Sequence, residues 1–192
     1  MLPCPEKSSF MNNPWQTLKK TVIYDNPWIR VEEHDVLNPA GNPGIYGSVH
    51  FKNQAVGVVP YEDGKVWMVG QYRYVLDVYS WEIPEGGGPY GEDPLDTAKR
   101  ELLEETGLVA ARYEKLLELH LSNSVSDEWG IVYLATDLRQ RTAQPEETEE
   151  LHVRQMSLEV LFQEVEAGRI TDSLTVAATY KLMLLKTMGR LP

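Results

Sequence analysis

One cysteine, Cys4, stands among 192 residues. A lone cysteine excludes an internal disulfide and a thiolate metal site, and it fits a reducing compartment, so the expected location is the cytoplasm. Basic residues are also scarce. Eighteen Lys and Arg stand against 29 Asp and Glu, for a net charge of −11. That balance argues against nucleic acid or an anionic membrane surface as the main partner, because both attract a basic face. No apolar run approaches the length of a membrane span, and the opening MLPCPEKSSFMNNPW lacks the apolar stretch of a secretory signal. The four histidines, His34, His50, His120 and His152, show no ligand spacing along the chain and read as structural. Ser48 and Ser124 lack the surroundings of a serine nucleophile. There is no internal repeat and no long linker.

Apolar content is 42% and charged content 24%, which fits a globular chain with a real core. Residues 1–16 read as a loose arm rich in Pro, Asn and Ser. Strands are expected at Lys20–Tyr24, Trp28–Val36 and Ile45–Lys52, separated by a turn at Asn26-Pro27 and a dense turn cluster at Asn38–Gly44. These make an antiparallel sheet too small to be secure alone, so it should pack on the rest or on a partner subunit. Further strands are expected at Gln54–Pro60 and Lys65–Arg73, joined by a hairpin at Asp63-Gly64. A short strand at Trp81–Pro84 enters a glycine loop, in which Gly86, Gly87 and Gly88 let the backbone turn tightly. A helix follows from Pro94 to Thr106, with Asp93 as N-cap and Gly107 just past its end. Strands at Ala111–Leu121, Trp129–Ala135 and Leu151–Met156 and two final helices complete the order, with a charged loop at Asp137–Glu150. The succession of strands, helix, strands and helices predicts an α/β or α+β sandwich with a mixed sheet.

The chemistry concentrates on the helix. Glu101, Glu104 and Glu105 are spaced to share one side, where like charges repel. A charge run of this kind is often a solvated face. Clustered carboxylates equally suit a hard divalent cation, Mg²⁺ above all. What precedes the helix favours the cation. Gly86, Glu92 and the run Arg100-Glu-Leu-Leu-Glu-Glu-Thr-Gly107-Leu108 form the pattern G-x5-E-x7-R-E-U-x-E-E-x-G-U, with U apolar.

This pattern resembles the Nudix box in full. The flanks Val56–Gly64, Val69–Tyr74 and Trp81–Gly87 resemble the ADP-ribose and nucleotide-sugar pyrophosphatase branch of that family, over roughly residues 20–185. The resemblance implies a Nudix α/β/α sandwich at 53–192, preceded at 1–52 by an arm and antiparallel strands that serve dimerisation and base binding. It implies Mg²⁺-dependent hydrolysis of the diphosphate bond of ADP-ribose or a related nucleoside diphosphate sugar, with Mn²⁺ as a substitute ion, in a homodimer joined through the N-terminal strands. Glu101 and Glu105 would be the main metal ligands, Glu104 a supporting one, and the backbone carbonyl of Glu85 a further one. Arg100 and Glu92 would pair to hold loop against helix. The general base would be Glu147 with Glu149 assisting, although Glu149 and Glu150 are alternatives for that role. Trp28 and Tyr46 are candidates to stack the base, against the commoner reading of strand aromatics as core or interface. Arg73 would hold a phosphate, or form a surface salt bridge. Glu82 and Glu128 are further candidates for substrate contact.

Two positions depart from the branch pattern. Asn123 or Ser124 stands where a proline is common, which leaves GDP-mannose and other nucleotide sugars open as substrates. Glu85 stands where small residues are common before the box glycine, a change that a backbone ligand would survive. A non-catalytic nucleotide-sugar sensor on the same fold is the rival from another class. The retention of every box carboxylate argues against it.

Overall fold

The computed structural model describes residues 12–141 and 151–192. The backbone falls into two compact units, which are taken in turn: one made of the chain up to Lys52 plus Ser124–Asp127, the other of Asn53–Asn123 and Glu128–Pro192.

The first unit is a three-stranded antiparallel sheet in the order β1 (Gln16–Asp25), β2 (Ile29–Leu37), β3 (Pro43–Phe51). Asn26 makes the first turn, its Oδ1 accepting from the amides of Trp28 and Ile29 at 2.8 and 2.7 Å. Asn38 makes the second in the same way, taking the amides of Ala40 and Asn42. The 124–127 segment runs beside β3, where Val49 donates to the Val125 carbonyl and accepts from the Asp127 amide. Every residue of β1 is exposed, and Leu18, Val22, Ile23, Tyr24, Trp28 and Ile45 leave apolar surface uncovered.

The second unit is built on β4 (Asn53–Glu62), which lies parallel to β9 (Trp129–Gln140) over residues 55–60. Its far end turns back through Asp63 and Gly64, both at positive φ, into β5 (Lys65–Arg73). That is the primed two-residue hairpin expected of Asp-Gly. The sheet runs β10 (His152–Ser157), β5, β4, β9, β8 (Leu108–His120), with β6 (Val78–Glu82) on β5 and β7 (Glu85–Pro89) on β4.

Alternation along β4 sorts the core into two layers. Val56 and Val58 face one side, with Ala98 and Leu102 of α1 (Pro94–Thr106), Ile131 and Ala135. Val59 and Tyr61 face the other, with Leu158 and Leu161 of α2 (Leu158–Glu166) and Leu174, Ala178 and Leu182 of α3 (Ser173–Thr187). Most of these side chains are almost wholly buried, each contributing about 1.5–3 kcal/mol relative to exposure. The unit is therefore an α/β/α sandwich around a mixed sheet.

Two expectations change. The strand before the charged loop runs on to Gln140, because the edge strand β8 pairs with it as far as Leu108↔Gln140. The glycines at 86–88 are not a turn. They form β7, antiparallel to β4 with Gly86 opposite Val56 and Gly88 opposite Gln54, and none has a positive φ.

Candidate active site

Why β7 must be glycine follows from what lies on it. Asp93 caps α1 by accepting the Leu95 amide at 3.0 Å, Pro94 opens it, and Gly107 closes it in the left-handed region with its amide on the Leu103 carbonyl. One stripe of this helix, Thr97, Glu101 and Glu105, faces β7. Four helical residues advance about 6 Å and two strand residues about 6.6 Å, so helix and strand keep step. A Cβ on Gly88 would lie 2.5 Å from Thr97 Oγ1, and one on Gly86 would lie 2.1 Å from Glu101 Oε1. The amide of Glu85 donates to Glu105 Oε2 at 3.0 Å. Glycine is thus required for close approach: only hydrogens leave room for the Glu101 carboxylate and the Thr97 hydroxyl.

Arg100 closes this group from its outer side. Its Nη1 lies 2.8 Å from Glu101 Oε1 and 3.0 Å from Glu104 Oε2, and its Nη2 donates to the Gly87 carbonyl at 3.1 Å. The expected partner Glu92 is not among these. The Glu92 contact is through its backbone carbonyl, which accepts from Gln54 Nε2 at 3.3 Å. Arg100 still ties helix to strand, but through Gly87, because the helix places Glu104 one turn away at i+4.

On the other side of Glu85 lies a cavity of about 460 Å³ lined by Arg73, Glu82, Glu85, Thr171, Asp172 and the 71–76 segment. Arg73 Nε donates to both oxygens of Glu82, at 2.9 and 3.0 Å, and its Nη2 reaches Glu82 and Glu85, the latter at 2.7 Å. Burial works against the Arg73 charge, but the two carboxylates outweigh it and raise its pKa. Glu85 is pushed the same way. Burial first, then Asp172 and Glu82, hold its carboxyl well above the usual carboxylate range despite Arg73. Among the described residues its Oε2 is buried with no hydrogen-bond partner. Asp172 caps α3, its Oδ2 accepting from the Thr175 amide at 2.7 Å. Glu82, Glu85 and Asp172 each offer an oxygen within 4.8 Å of the others. Among the described residues this is an acidic set whose oxygens converge closely enough to share one ion.

Sequence reasoning missed Asp172. Its only local signal was that of a helix cap before Ser173, and the fold brings it to Glu82 from 90 positions away. Glu85 was expected to act through its backbone carbonyl; its amide serves Glu105 and its side chain serves Arg73, so the residue links the two groups. Hard oxygen donors, several of them buried and one unpartnered, suit a divalent cation such as Mg²⁺.

The remaining candidates are spread out. Glu128 precedes β9, and burial raises its carboxyl above the usual range. Trp28 is 66% exposed at the entry to β2. Tyr46 pairs edge-to-face with Trp15, ring centroids 5.3 Å apart, and its hydroxyl donates to the Ser124 carbonyl at 2.6 Å. Tyr46 lies opposite His34, six strand residues or about 20 Å from the Trp28 end of β2, so one chain does not clamp a single base between the two. Glu147 and Glu149 lie outside the described residues, as does Glu150.

This sandwich, with its glycine strand and acidic helix, defines a Nudix architecture, and comparison with known proteins agrees. Residues 51–174 match the NUDIX domain, and residues 15–49 match the nucleoside diphosphate sugar hydrolase N-terminal domain. The chain belongs to the Nudix family of hydrolases. It is 31% identical over 171 residues to the ADP-ribose pyrophosphatase of Bacillus subtilis (strain 168), spanning 88% of this chain and 92% of that protein. It is 32% identical, over the same length and shares, to the methanol dehydrogenase activator of Bacillus methanolicus. The fold superposes on the crystal structure of an ADP compounds hydrolase with a TM-score of 0.83, at 23% identity, covering 95% of this chain and 100% of that one. No helix among the described residues is long and apolar enough to cross a membrane.

Proposed function

We propose that the protein hydrolyses the diphosphate bond of ADP-ribose, or of a closely related nucleoside diphosphate sugar, to a nucleoside monophosphate and a sugar phosphate. The observation that carries this reading is the pair of buried carboxylates, Glu101 and Glu105, seated on a strand of glycines beside an arginine-bearing cavity. The ADP-ribose pyrophosphatase from Bacillus subtilis, similar over most of both chains, supports the choice of substrate.

Glu101 and Glu105, with Glu104 and the Glu85 carbonyl, would hold Mg²⁺, or Mn²⁺ in its place. Such an ion, when bound, offsets phosphate charge and lowers the pKa of a bound water. The chain's own part is to position and to move protons. The Glu85 amide and Arg100 fix the helix carboxylates, so that their geometry needs no reordering when substrate arrives. Arg73 keeps Nε and Nη2 on Glu82 and Glu85, and its Nη1 would donate to a phosphate oxygen. Glu147, aided by Glu149, would take the proton from the attacking water. The hydroxide adds to one phosphorus, and the bridging oxygen leaves with the other phosphate and gains a proton. The uncovered apolar surface of the N-terminal sheet supports a homodimer joined there.

The test is phosphate release, in the presence of a phosphatase and Mg²⁺, from ADP-ribose, GDP-mannose, ADP-glucose and NADH. Turnover of ADP-ribose above the others is expected. Turnover of none of them would end the proposal. Preference for GDP-mannose would keep the reaction and change the substrate.

A further inference from the structure

The histidines of the N-terminal unit, expected to be structural, have a second use. We propose that Glu32, His34 and His50 form a separate site for a borderline divalent cation of the Zn²⁺ class. The argument begins with register. β2 and β3 pair Arg30 with His50, Glu32 with Ser48 and His34 with Tyr46. Paired residues share a face and alternate residues along a strand share it too, so Glu32, His34, Ser48 and His50 come together on one side of the sheet.

The atoms that meet are ligand atoms. Nε2 of His34 lies 2.9 Å from Glu32 Oε2, and Nε2 of His50 lies 3.4 Å from the same oxygen. Ser48 Oγ stands 3.2 Å from His50 Nε2 and 3.5 Å from His34 Nε2. Tetrahedral ligands about 2.0–2.1 Å from Zn²⁺ stand about 3.3 Å from each other, so the observed spacings already approximate the edges of such a site. Glu32 is 9% exposed, and its other oxygen, Oε1, is taken by Arg30 Nε at 3.5 Å, which leaves Oε2 to the imidazoles.

A second observation concerns protons. Asp127 Oδ2 lies 2.7 Å from His50 Nδ1, while Asp127 Oδ1 accepts from the Phe51 amide at 3.0 Å. A carboxylate only accepts, so Nδ1 of His50 carries the proton. In the neutral ring the lone pair is then on Nε2 and points at the Glu32 carboxylate. The Ser48 hydroxyl, 3.2 Å away, can donate to that lone pair, and a cation seated among Glu32, His34 and His50 would take it directly. Carboxylate, histidine and metal in series is the usual way in which a ligating imidazole is held in one tautomer. The alternative is a Ser48 hydroxyl donating to His50 Nε2 with no metal, and the two differ in what they bind. The site is also unlike the acidic groups of the second unit: imidazole favours Zn²⁺ and its neighbours, carboxylate oxygens favour Mg²⁺.

The experiment uses the full chain stripped with a chelator. Zn²⁺ is titrated by calorimetry in excess Mg²⁺, which fills the hard-oxygen sites. One equivalent should bind to the wild type and to the Glu101→Gln/Glu105→Gln variant alike. His34→Gln and His50→Gln, which keep side-chain bulk, should lose it or weaken it at least 100-fold, and Asp127→Asn should weaken it about 10–100-fold. Co²⁺ in place of Zn²⁺ should give the visible bands of a tetrahedral site in the wild type. If a variant fails to fold, ring ¹⁵N shifts of the wild-type histidines decide: those of His34 and His50 must move on adding Zn²⁺. Unchanged binding in the histidine variants, no Zn²⁺ equivalent in the wild type, or ring shifts showing an imidazolium at His50 that ignores Zn²⁺ would each overturn the proposal.

Discussion

The carboxylates of α1 and those around Arg73 are two groups of three, each with one arginine, yet their hydrogen-bond partners differ. On α1, Glu101 and Glu104 share Arg100, and Glu105 accepts a backbone amide. In the cavity, Arg73 satisfies Glu82 and one oxygen of Glu85, while the other Glu85 oxygen is buried and unpartnered. The first group has its donors in place. The second lacks positive charge, and the raised pKa of Glu85 registers that shortage. Strand β7 stands between them, with the Glu85 amide serving one group and its carboxyl the other. Equal composition therefore does not mean equal role: under the proposed function the helix group would hold an ion in fixed geometry, and the cavity group would respond to what enters.

Four tests, on the helix glutamates, Gly86, Arg73 and Glu85, break or sharpen this contrast. The largest effect is expected from Glu105→Gln or Glu101→Gln, which should lower kcat on ADP-ribose by about a thousandfold, the equivalent of about 4 kcal/mol of lost charge stabilisation. If Glu85→Gln instead produced that loss, the roles of the two groups would be reversed. Gly86→Ala comes next. Its methyl must displace the Glu101 carboxylate, which is the far end of a flexible side chain. Activity should fall about 10–100-fold, the usual range for disturbed ligand positioning, while the melting temperature moves little. Equal damage to both would mean that Gly86 matters for packing alone.

Arg73→Ala should raise KM for ADP-ribose about tenfold with a smaller change in kcat, and Arg73→Lys should not restore it, because an ammonium cannot replace the two-pronged contact with Glu82. Steady-state kinetics with both variants checks this. The smallest effect is on stability. The folded-state pKa of Glu85 lies above its unfolded value, so the folded state holds the proton more tightly, and stability falls as pH rises from the ordinary carboxylate range through the raised value. Glu85→Gln cannot ionise and escapes that loss. Without metal, its melting temperature should exceed the wild type's by a few degrees at pH 7, and the gain should shrink as the pH is lowered toward 4. A scan in chelator at several pH values reads the trend directly.

How much was legible follows the same division. The helix group lies within five residues, so local spacing was enough to find it, and Asp93, Pro94 and Gly107 marked its helix to the residue. The cavity group draws on β5, β6, β7 and the cap of α3, and no local pattern links Glu82 to Asp172. The glycines were found, but their purpose was misread, because a triple glycine suggests a turn until the helix stripe that covers it is seen. His34 and His50 were dismissed for lack of spacing. Ligand spacing across two strands is a property of register, and the β2–β3 register becomes visible once the turn at Asn38–Asn42 is known.

Thr175 gives the cavity a mechanical connection. Its hydroxyl accepts from the Ile83 amide at 2.9 Å, and its own amide donates to Asp172 at 2.7 Å. The opening turn of α3 is thereby stapled both to the segment carrying Glu82 and Glu85 and to the third acid of the group. A cation that drew Asp172 Oδ2 off the Thr175 amide would slacken the staple at the helix start. The Thr175 amide would then exchange its hydrogen with solvent faster when the cavity is filled than when it is empty, so a buried helix end would gauge events at the pocket floor.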